Sequence, residues 1–377
     1  MKVLALASYP REAAATRYRL EQFVGPLAER GITLTIRPFL DSRRFEQLYR
    51  RGALPRTIFG LITSALLRFK DVAAATKADV ILIQREAMIF GPPVIEWLMT
   101  RVLKRPVVLD LDDATYVSYT SPTYGGIGST LKWFSKTDDL IRWAKLVICG
   151  NRSIAEYVSS KGSRACVIPT VVDTEVFRPA GSNEEPGGIG SASWSNSGGP
   201  VLGWIGTHST FPYLESIFPV LTKLAKDHHF RLKIVGAGKA EITVPGVEVE
   251  NLPWSLEREV RDFQSIDIGL YPIDASLYSN KWAAGKSGFK AIQYMAVGVP
   301  YVATPVGASK DFGEADVTHF FASNPEEWQK ALAELIVDAE KREKMGTAGR
   351  GYAARNFALP EQADKLAAAL REAANIK

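Results

Sequence analysis

The stretch Gly285–Ala308, GKSGFKAIQYMAVGVPYVATPVGA, gathers residue types suited to holding a phosphate. Its spacing predicts a helix over Ser287–Val297, because Phe289, Ile292 and Ala296 recur at three- and four-residue intervals and would face a core. Lys286, Lys290 and Gln293 then fall on the opposite stripe. Two ammonium groups four residues apart on one helix face repel each other modestly, and an anion beside them relieves the repulsion. Gly285 permits close backbone approach, and the helix start at Ser287 adds unpaired N–H groups with a favourable dipole. A solvated lysine face ahead of an ordinary core strand has the same periodicity, so spacing alone leaves both readings open.

Further polar groups stand at the C-terminal ends of predicted strands, the edge at which open α/β sheets bind ligands. Ser8-Tyr9-Pro10-Arg11 and Thr16-Arg17-Tyr18-Arg19 follow the first strand. Arg17 and Arg19 can fork onto a phosphate or carboxylate, with Tyr9 and Arg11 beside them. Gln84-Arg85-Glu86 follows a buried strand, where three strongly polar residues are easier to explain as a site than as packing. Asp110-Leu111-Asp112-Asp113 closes the next one.

The elements that must position these groups alternate between strand and helix, the signature of doubly wound sheets. Strands are predicted at Val3–Ala7, Thr33–Pro38, Val80–Ile83, Val107–Leu111 and Leu146–Cys149, with a helix over Thr16–Arg30. A second alternation begins at Val201–Ile205, with a helix over Tyr213–Ala225 and strands at Arg231–Val235 and Ile268–Tyr271. Helices are also expected within Ser323–Lys344 and over Glu361–Ala374. No G-x-G-x-x-G follows the first strand, which disfavours a nicotinamide oxidoreductase.

At 377 residues, with 46% hydrophobic and 23% charged residues, the chain reads as a soluble protein of two domains. Cys149 and Cys166 have no metal-ligand spacing and read as reduced, buried thiols of a cytosolic protein. The net charge of +5 is uneven, since residues 1–70 carry 13 Lys+Arg against 5 Asp+Glu. Such a basic face suits anionic lipid or a phosphate-bearing substrate, or is a plain solvated surface. The N-terminus reads as a first strand rather than a signal peptide, and the longest apolar segment, Ile58–Leu67, is too short to span a membrane. Within Ser42–Lys70, basic residues interleave with Phe45, Leu48, Tyr49, Ile58, Phe59, Leu66 and Leu67. That pattern fits helices lying on a membrane surface, and equally two amphipathic helices packed on their own domain. No nucleic-acid-binding module is recognisable.

Tyr294-Met295-Ala296-Val297-Gly298-Val299-Pro300-Tyr301-Val302-Ala303-Thr304 resembles the donor helix and following strand of family 4 (group 1) glycosyltransferases, written E-G-F-G-x-x-x-x-E-A-M-A-x-G-x-P-V-V-A-T. The wording looks most like a branch with G-K-x-x-x-K-x-x-[EQ]-Y-M-A. The family's first glutamate falls on Gly285 and its second, which holds the nucleotide ribose, on Gln293. Residues 167–179 resemble the interdomain crossover I-P-N-G-V-D-x-x-x-F-x-P. The resemblance implies the α/β GT-B architecture, two Rossmann-like doubly wound domains facing a central cleft. An acceptor domain would occupy 1–179, a Gly/Ser-rich linker 180–200 and a donor domain 201–359, with the final helix, 360–377, packed back on the first.

By the same resemblance, Gly206-Thr207-His208-Ser209 is the loop beneath the donor phosphates, with the Gly206 and Thr207 amides and the Thr207, Ser209 and Thr210 hydroxyls cradling an anion. His208 adds a donor there or is structural, and Trp254 stacks on the nucleobase or packs. Asp274–Trp282 matches the variable loop over the donor sugar. Asp110-Leu111-Asp112 has the form of a metal-binding D-x-D, but it falls in the acceptor half. Orientation of an acceptor hydroxyl is therefore preferred, with partial base character for Asp112 or Asp113, and no metal or other cofactor is expected.

The implied activity is transfer of a sugar from a nucleotide diphosphate sugar to an acceptor hydroxyl with retention of configuration. Lys286 and Lys290 would stabilise the leaving diphosphate. The expected setting is cytoplasmic, peripheral on the inner membrane face, with a carbohydrate or lipid-linked acceptor in cell-surface polysaccharide or glycolipid assembly. A nucleotide-sugar epimerase of the same architecture and a non-catalytic partner subunit are the rival readings.

Overall fold

The computed structural model describes residues 1–48, 54–118, 125–181, 198–274 and 280–375. Parts of three expected features lie outside these residues: positions 49–53 of the basic-aromatic segment, 182–197 of the linker and 275–279 of the loop over the donor sugar.

The chain divides into two units. The first comprises Met1–Val171, Ala284–Ser287 and Leu359–Lys377, and the second Val172–Ala283 and Gly288–Ala358. The division falls before position 179 because Phe177 packs edge-on against Phe263, and the Arg178 carbonyl accepts from Gln264 Nε2 at 2.8 Å.

The first unit holds a six-stranded parallel sheet: β1 (Lys2–Ala7), β2 (Thr33–Pro38), β3 (Val80–Gln84), β4 (Val107–Leu111), β5 (Leu146–Cys149) and β6 (Ala165–Val167). Their order is β2-β1-β3-β4-β5-β6. Strands β3, β4 and β5 are buried on both faces, which is why they read as near-continuous apolar runs. The core between sheet and helices is built from residues such as Leu6, Ile81, Ile83, Leu109, Ile141 and Val147. The helix Leu359–Asn375 belongs to this unit, tied by an ion pair from Asp364 to Arg30 at 2.6 Å.

The second unit repeats the plan with β7 (Val201–Ile205), β8 (Arg231–Val235), β9 (Glu248–Leu252), β10 (Ile268–Tyr271), β11 (Tyr301–Ala303) and β12 (Phe320–Phe321). The order is β12-β11-β10-β7-β8-β9, again all parallel. Its core centres on Leu202, Leu221, Leu232, Ile234, Ile268, Val302 and Leu332.

Prolines break two helices that periodicity predicts as continuous. Thr16–Arg30 is three pieces, Ala14–Arg19, a 3-10 turn at Glu21–Phe23 and Val24–Glu29. Pro26 has no N–H for the Gln22 carbonyl, so it is accommodated in the first turn of a new helix. Tyr213–Ala225 is likewise Phe211–Glu215 and Phe218–Leu224, each with proline in its first turn. Cys149 is buried, and burial pushes its thiol up to about 12. Cys166 is half-buried rather than buried, because β6 is an edge strand.

Candidate functional site

Each sheet has one place where the strand order reverses, and ligands of open α/β sheets bind beyond the strand ends there. In the second unit that place lies between β7 and β10; in the first it lies between β1 and β3.

The loop after β7 is Gly206–Thr210. Gly206 N–H donates to the Val235 carbonyl at 3.0 Å, and Thr207 N–H donates to Thr210 Oγ1 at 3.1 Å. The expected anion cradle is corrected accordingly, since both amides are committed within the protein. Of the expected cradle the hydroxyls remain as the polar edge of the loop, with Thr207 Oγ1 and Ser209 Oγ 2.8 Å apart. The loop lies close against the one after β8: a Cβ on Gly236, whose φ is +85°, would overlap the Gly206 carbonyl, and one on Gly238 would come 2.9 Å from His208 Cβ. Trp254, following β9, is half-buried, and a Cβ on Gly236 would meet its Cβ at 3.5 Å.

The donor-helix stretch differs from its expected form at both ends. The helix is Phe289–Ala296, preceded by Gly288 at φ 66°, a conformation open to glycine and strained for other residues. Lys286 and Ser287 therefore precede the helix, and Lys286 and Lys290 do not form a four-residue stripe on it. The opposite stripe is not solvated either, because Ala291 through Ala296 are all buried. Lys290 Nζ donates to Gln293 Oε1 at 2.8 Å and stands 5.0 Å from the Phe263 ring centroid. Gln293 is wholly buried, and its Nε2 has no hydrogen-bond partner. Tyr294 Oη fixes the helix to the sheet by donating to the carbonyls of Gly203 and Leu270 at 2.9 and 3.3 Å. Arg350, a residue sequence reading missed, donates to the Ala296 carbonyl at the other end of the helix at 2.9 Å.

Ala284–Ser287 belongs to the first unit. Asn151 Nδ2 donates to the Lys286 carbonyl at 3.1 Å, while its Oδ1 caps the helix Arg152–Ser160 through Ile154 N–H. Asn151 was also missed, although an Asn directly after a strand and before a helix is a cap signal. Gly285 is buried against Ala114. A Cβ there would overlap Ala114 Cβ and lie 3.1 Å from its backbone Cα and N. The family's first glutamate has no room at this position.

At the switch point of the first unit, Ser8 Oγ donates to the carbonyls of Gln84 and Glu86. Thr16 Oγ1 donates to the Tyr9 carbonyl at 2.7 Å, and Arg17 Nη1 donates to those of Arg11 and Glu12. Arg11 is exposed, with its Nε 3.7 Å from the Glu21 carboxylate, and Tyr9 packs on Phe45. Arg85 has φ 61°, a strained value for a residue with a side chain. It grips both oxygens of Asp112 at 2.5 and 2.6 Å and reaches Asp113 at 3.2 Å. Gln84 is 1% exposed, and its Nε2 has no hydrogen-bond partner.

Four expected roles are corrected by these pairings. Arg19 is not a fork for substrate: it makes a buried bidentate pair with Asp110 and donates to the Ile168 carbonyl at 2.7 Å. Asp110 is committed to the same pair. Glu86 is 5% exposed and held by Lys132 and Lys136 at 3.0 and 2.7 Å; burial pushes its carboxyl up, but the two lysines outweigh that and keep it below the usual range. Asp112 is a poor base, because burial, which raises its pKa, is outweighed by Arg85, and the carboxyl is held below its usual value.

Two doubly wound parallel sheets, each with a switch point, define an α/β protein of the GT-B type. Residues 199–338 match the profile of the family described as glycosyl transferases group 1. No curated protein matches the chain by sequence. Among solved structures it is similar to Anabaena Alr3699/HepE in complex with UDP-glucose, at 17% identity and a TM-score of 0.68 over 98% of this chain and 99% of that one. Sucrose-phosphate synthase from Thermosynechococcus elongatus is similar at 13% identity and a TM-score of 0.66, over 98% of both chains. A glycosyltransferase from Rickettsia africae is similar at 14% identity and a TM-score of 0.66, over 100% of this chain and 99% of that one. Identities this low carry the fold alone.

Proposed function

We propose that this chain is a family 4 glycosyltransferase that moves a sugar from a nucleotide diphosphate sugar to an acceptor hydroxyl with retention of configuration. The observation that carries the reading is the Lys290–Gln293 pair at the start of the helix Phe289–Ala296, within the stretch matched by the group 1 glycosyltransferase profile. Gln293 is buried with an unpartnered Nε2, which costs free energy unless a ligand acceptor meets it, as a ribose hydroxyl would. The Anabaena neighbour's UDP-glucose supports a donor of this class.

In this reading Lys290, Lys286 and the helix start stabilise the departing diphosphate, which accepts the proton of the incoming hydroxyl on the same face. The Thr207 and Ser209 hydroxyls and His208 line the phosphate side, and Trp254 the base. Acceptor groups come from Tyr9, Arg11, Arg17, Gln84, Arg85 and Asp113 in the first unit. Transfer needs no metal in this reading, which Asp110 and Asp112 support by being held each by its own arginine. The biological setting we assign is cell-surface polysaccharide or glycolipid assembly, cytoplasmic and peripheral on the inner membrane face. No helix among the described residues is long and apolar enough to cross a membrane.

A binding subunit that transfers nothing is the second reading, favoured by the sterically excluded glutamate at Gly285. Following nucleoside diphosphate release from a panel of nucleotide sugars, with and without polyprenyl-linked sugar acceptors, separates the readings. Release that requires acceptor, with an axial or equatorial anomeric proton matching that of the donor by NMR, is the expected result. Conversion of donor without acceptor indicates an epimerase, and binding without turnover a partner subunit.

A further inference from the structure

The helix Leu54–Ala75 has apolar residues on two faces, one packed on its own unit and one exposed. Toward its own unit it packs Leu61, Ala65, Val72 and Ala75 on the core, together with Thr57, Ser64 and Arg68, which are 8%, 3% and 1% exposed. On the far side Ile58, Phe59, Ile62, Leu66 and Phe69 are 49%, 73%, 53%, 66% and 49% exposed. At 3.6 residues per turn these five apolar side chains cover an arc of about 100° and run about 16 Å, half the length of the 22-residue helix. Rolling the helix to hide them would tear Arg68 from its partners. Its guanidinium donates to the carbonyls of Ala7, Arg37 and Ala87, each at 2.8 Å, and to Asp71 at 3.0 Å. Ser64 likewise accepts from Arg44. An amphipathic helix that meets only water on its far side keeps that side polar, so a continuous exposed apolar stripe beside a packed face marks an interaction surface.

Charge indicates what covers it. From Ser42 to Lys70 the sequence has seven basic residues and one acidic residue, Glu46. Arg43, Arg56 and Lys70 are exposed, and helix geometry puts Lys70 and Arg56 next to the stripe. An apolar face with basic flanks, on a helix unable to cross a bilayer, matches the chemistry of an anionic membrane surface. We propose that the helix Leu54–Ala75 docks this protein on anionic lipid, with Phe59, Ile62, Leu66 and Phe69 sunk at the acyl boundary and the basic residues on headgroup phosphates. The proposal deepens the inner-membrane setting of the proposed function, but binding requires neither donor nor acceptor.

The test is sedimentation of the full chain with phosphatidylglycerol-containing vesicles and with pure phosphatidylcholine vesicles. Wild type is compared with Phe59→Glu/Leu66→Glu and with Arg43→Glu/Arg56→Glu. Sedimentation velocity without lipid reports the oligomeric state, and thermal melts report folding. Wild type is expected to bind the anionic vesicles in a salt-sensitive manner, and each variant to bind roughly tenfold less or weaker still, with unchanged melting. Absence of wild-type binding to anionic vesicles overturns the proposal, as does binding that the Phe59→Glu/Leu66→Glu variant retains. A lipid-free dimer that this variant dissociates, without vesicle binding, assigns the stripe to a second copy of the chain instead. Vesicle binding by a protein that transfers no sugar refutes the transferase reading and leaves this one standing.

Discussion

Lys290→Ala tests the donor site at its most constrained charge. The ammonium is fixed 2.8 Å from Gln293 Oε1 and over the Phe263 ring, so it cannot swing freely to other partners. At about 4 Å from one diphosphate charge, with an effective dielectric near 20, its attraction is about 4 kcal/mol. That agrees with the ~10²–10³ rate loss that follows removal of one group stabilising developing charge. If affinity for a nucleoside diphosphate falls about 100-fold, ligand at one hundred times the wild-type Kd stabilises wild type by about 2.7 kcal/mol and the variant by about 0.4 kcal/mol. For a domain of 150–250 residues the difference is a Tm shift of about 5–9 °C. The variant also strands Gln293 at a fully buried position, at a cost of about 1–3 kcal/mol, so each protein must be compared with itself, with and without ligand. The assay is thermal unfolding with a panel of nucleoside diphosphates in EDTA, followed by steady-state transfer. A variant with a wild-type ligand shift and turnover within about threefold refutes the role given to Lys290. A wild-type shift seen only after a divalent cation is added refutes the metal-free reading.

Restoring the family's glutamate with Gly285→Glu should destabilise rather than activate, and Gly285→Ala should already cost about 1–3 kcal/mol in urea unfolding, because even a Cβ overlaps Ala114. Asp112→Asn leaves half-buried Arg85 with only Asp113 as a carboxylate partner and should cost about 1–3 kcal/mol at neutral pH. Because the folded Asp112 pKa is depressed, its contribution is complete above the unfolded carboxylate value and is lost as pH falls through the folded one. The gap between wild type and Asp112→Asn, measured by urea unfolding, should therefore close only below about pH 4. His319 is stacked on Tyr301 and buried neutral, its pKa lowered to about 4 by burial. The unfolded state binds the extra proton between about pH 6.5 and 4, so stability falls on acidification through that window by up to about 3 kcal/mol, and His319→Phe should flatten the slope.

What could be read in the sequence follows from how local each determinant is. Strands β3, β4, β5 and β7 are mostly apolar runs, so composition and length suffice to place them. Strand β9 escaped because it is an edge strand, and Glu248-Val249-Glu250-Asn251-Leu252 carries polar residues in three of its five positions. Strand β12 has two residues, too few for any period. The proline breaks at Pro26 and Pro219 are legible in principle, since a missing N–H is a property of one residue, although apolar periodicity runs through both. Pairings of charge were not legible at all. Arg19 finds Asp110 ninety-one positions away and Arg85 finds Asp112 across neighbouring strands, so arginines that look available to a ligand in one dimension are already partnered in three.

The same distinction separates the two halves of the donor-helix stretch. Gln293 and Lys290 are three residues apart on one helix, so the shared face that spacing predicts for these two is local, and there they pair. Gly285 answers to Ala114, a neighbour that no local pattern contains. A missing glutamate therefore reads in sequence as a lost ligand, whereas in the fold it is a position where no side chain fits. If donor chemistry is retained here, recognition of the transferred sugar cannot run through a side chain at 285. It must instead depend on the backbone of Gly285–Gly288 and on side chains of other elements. Among the described residues with an unmet donor at the right edge of a sheet, Gln293 Nε2 stands out in the second unit. A Gln293→Glu change is consequently the informative substitution. It restores the family's residue, keeps an acceptor for Lys290 and removes the orphaned N–H. Donor affinity that rises in this variant places the ribose at Gln293, and affinity that is unchanged places it elsewhere.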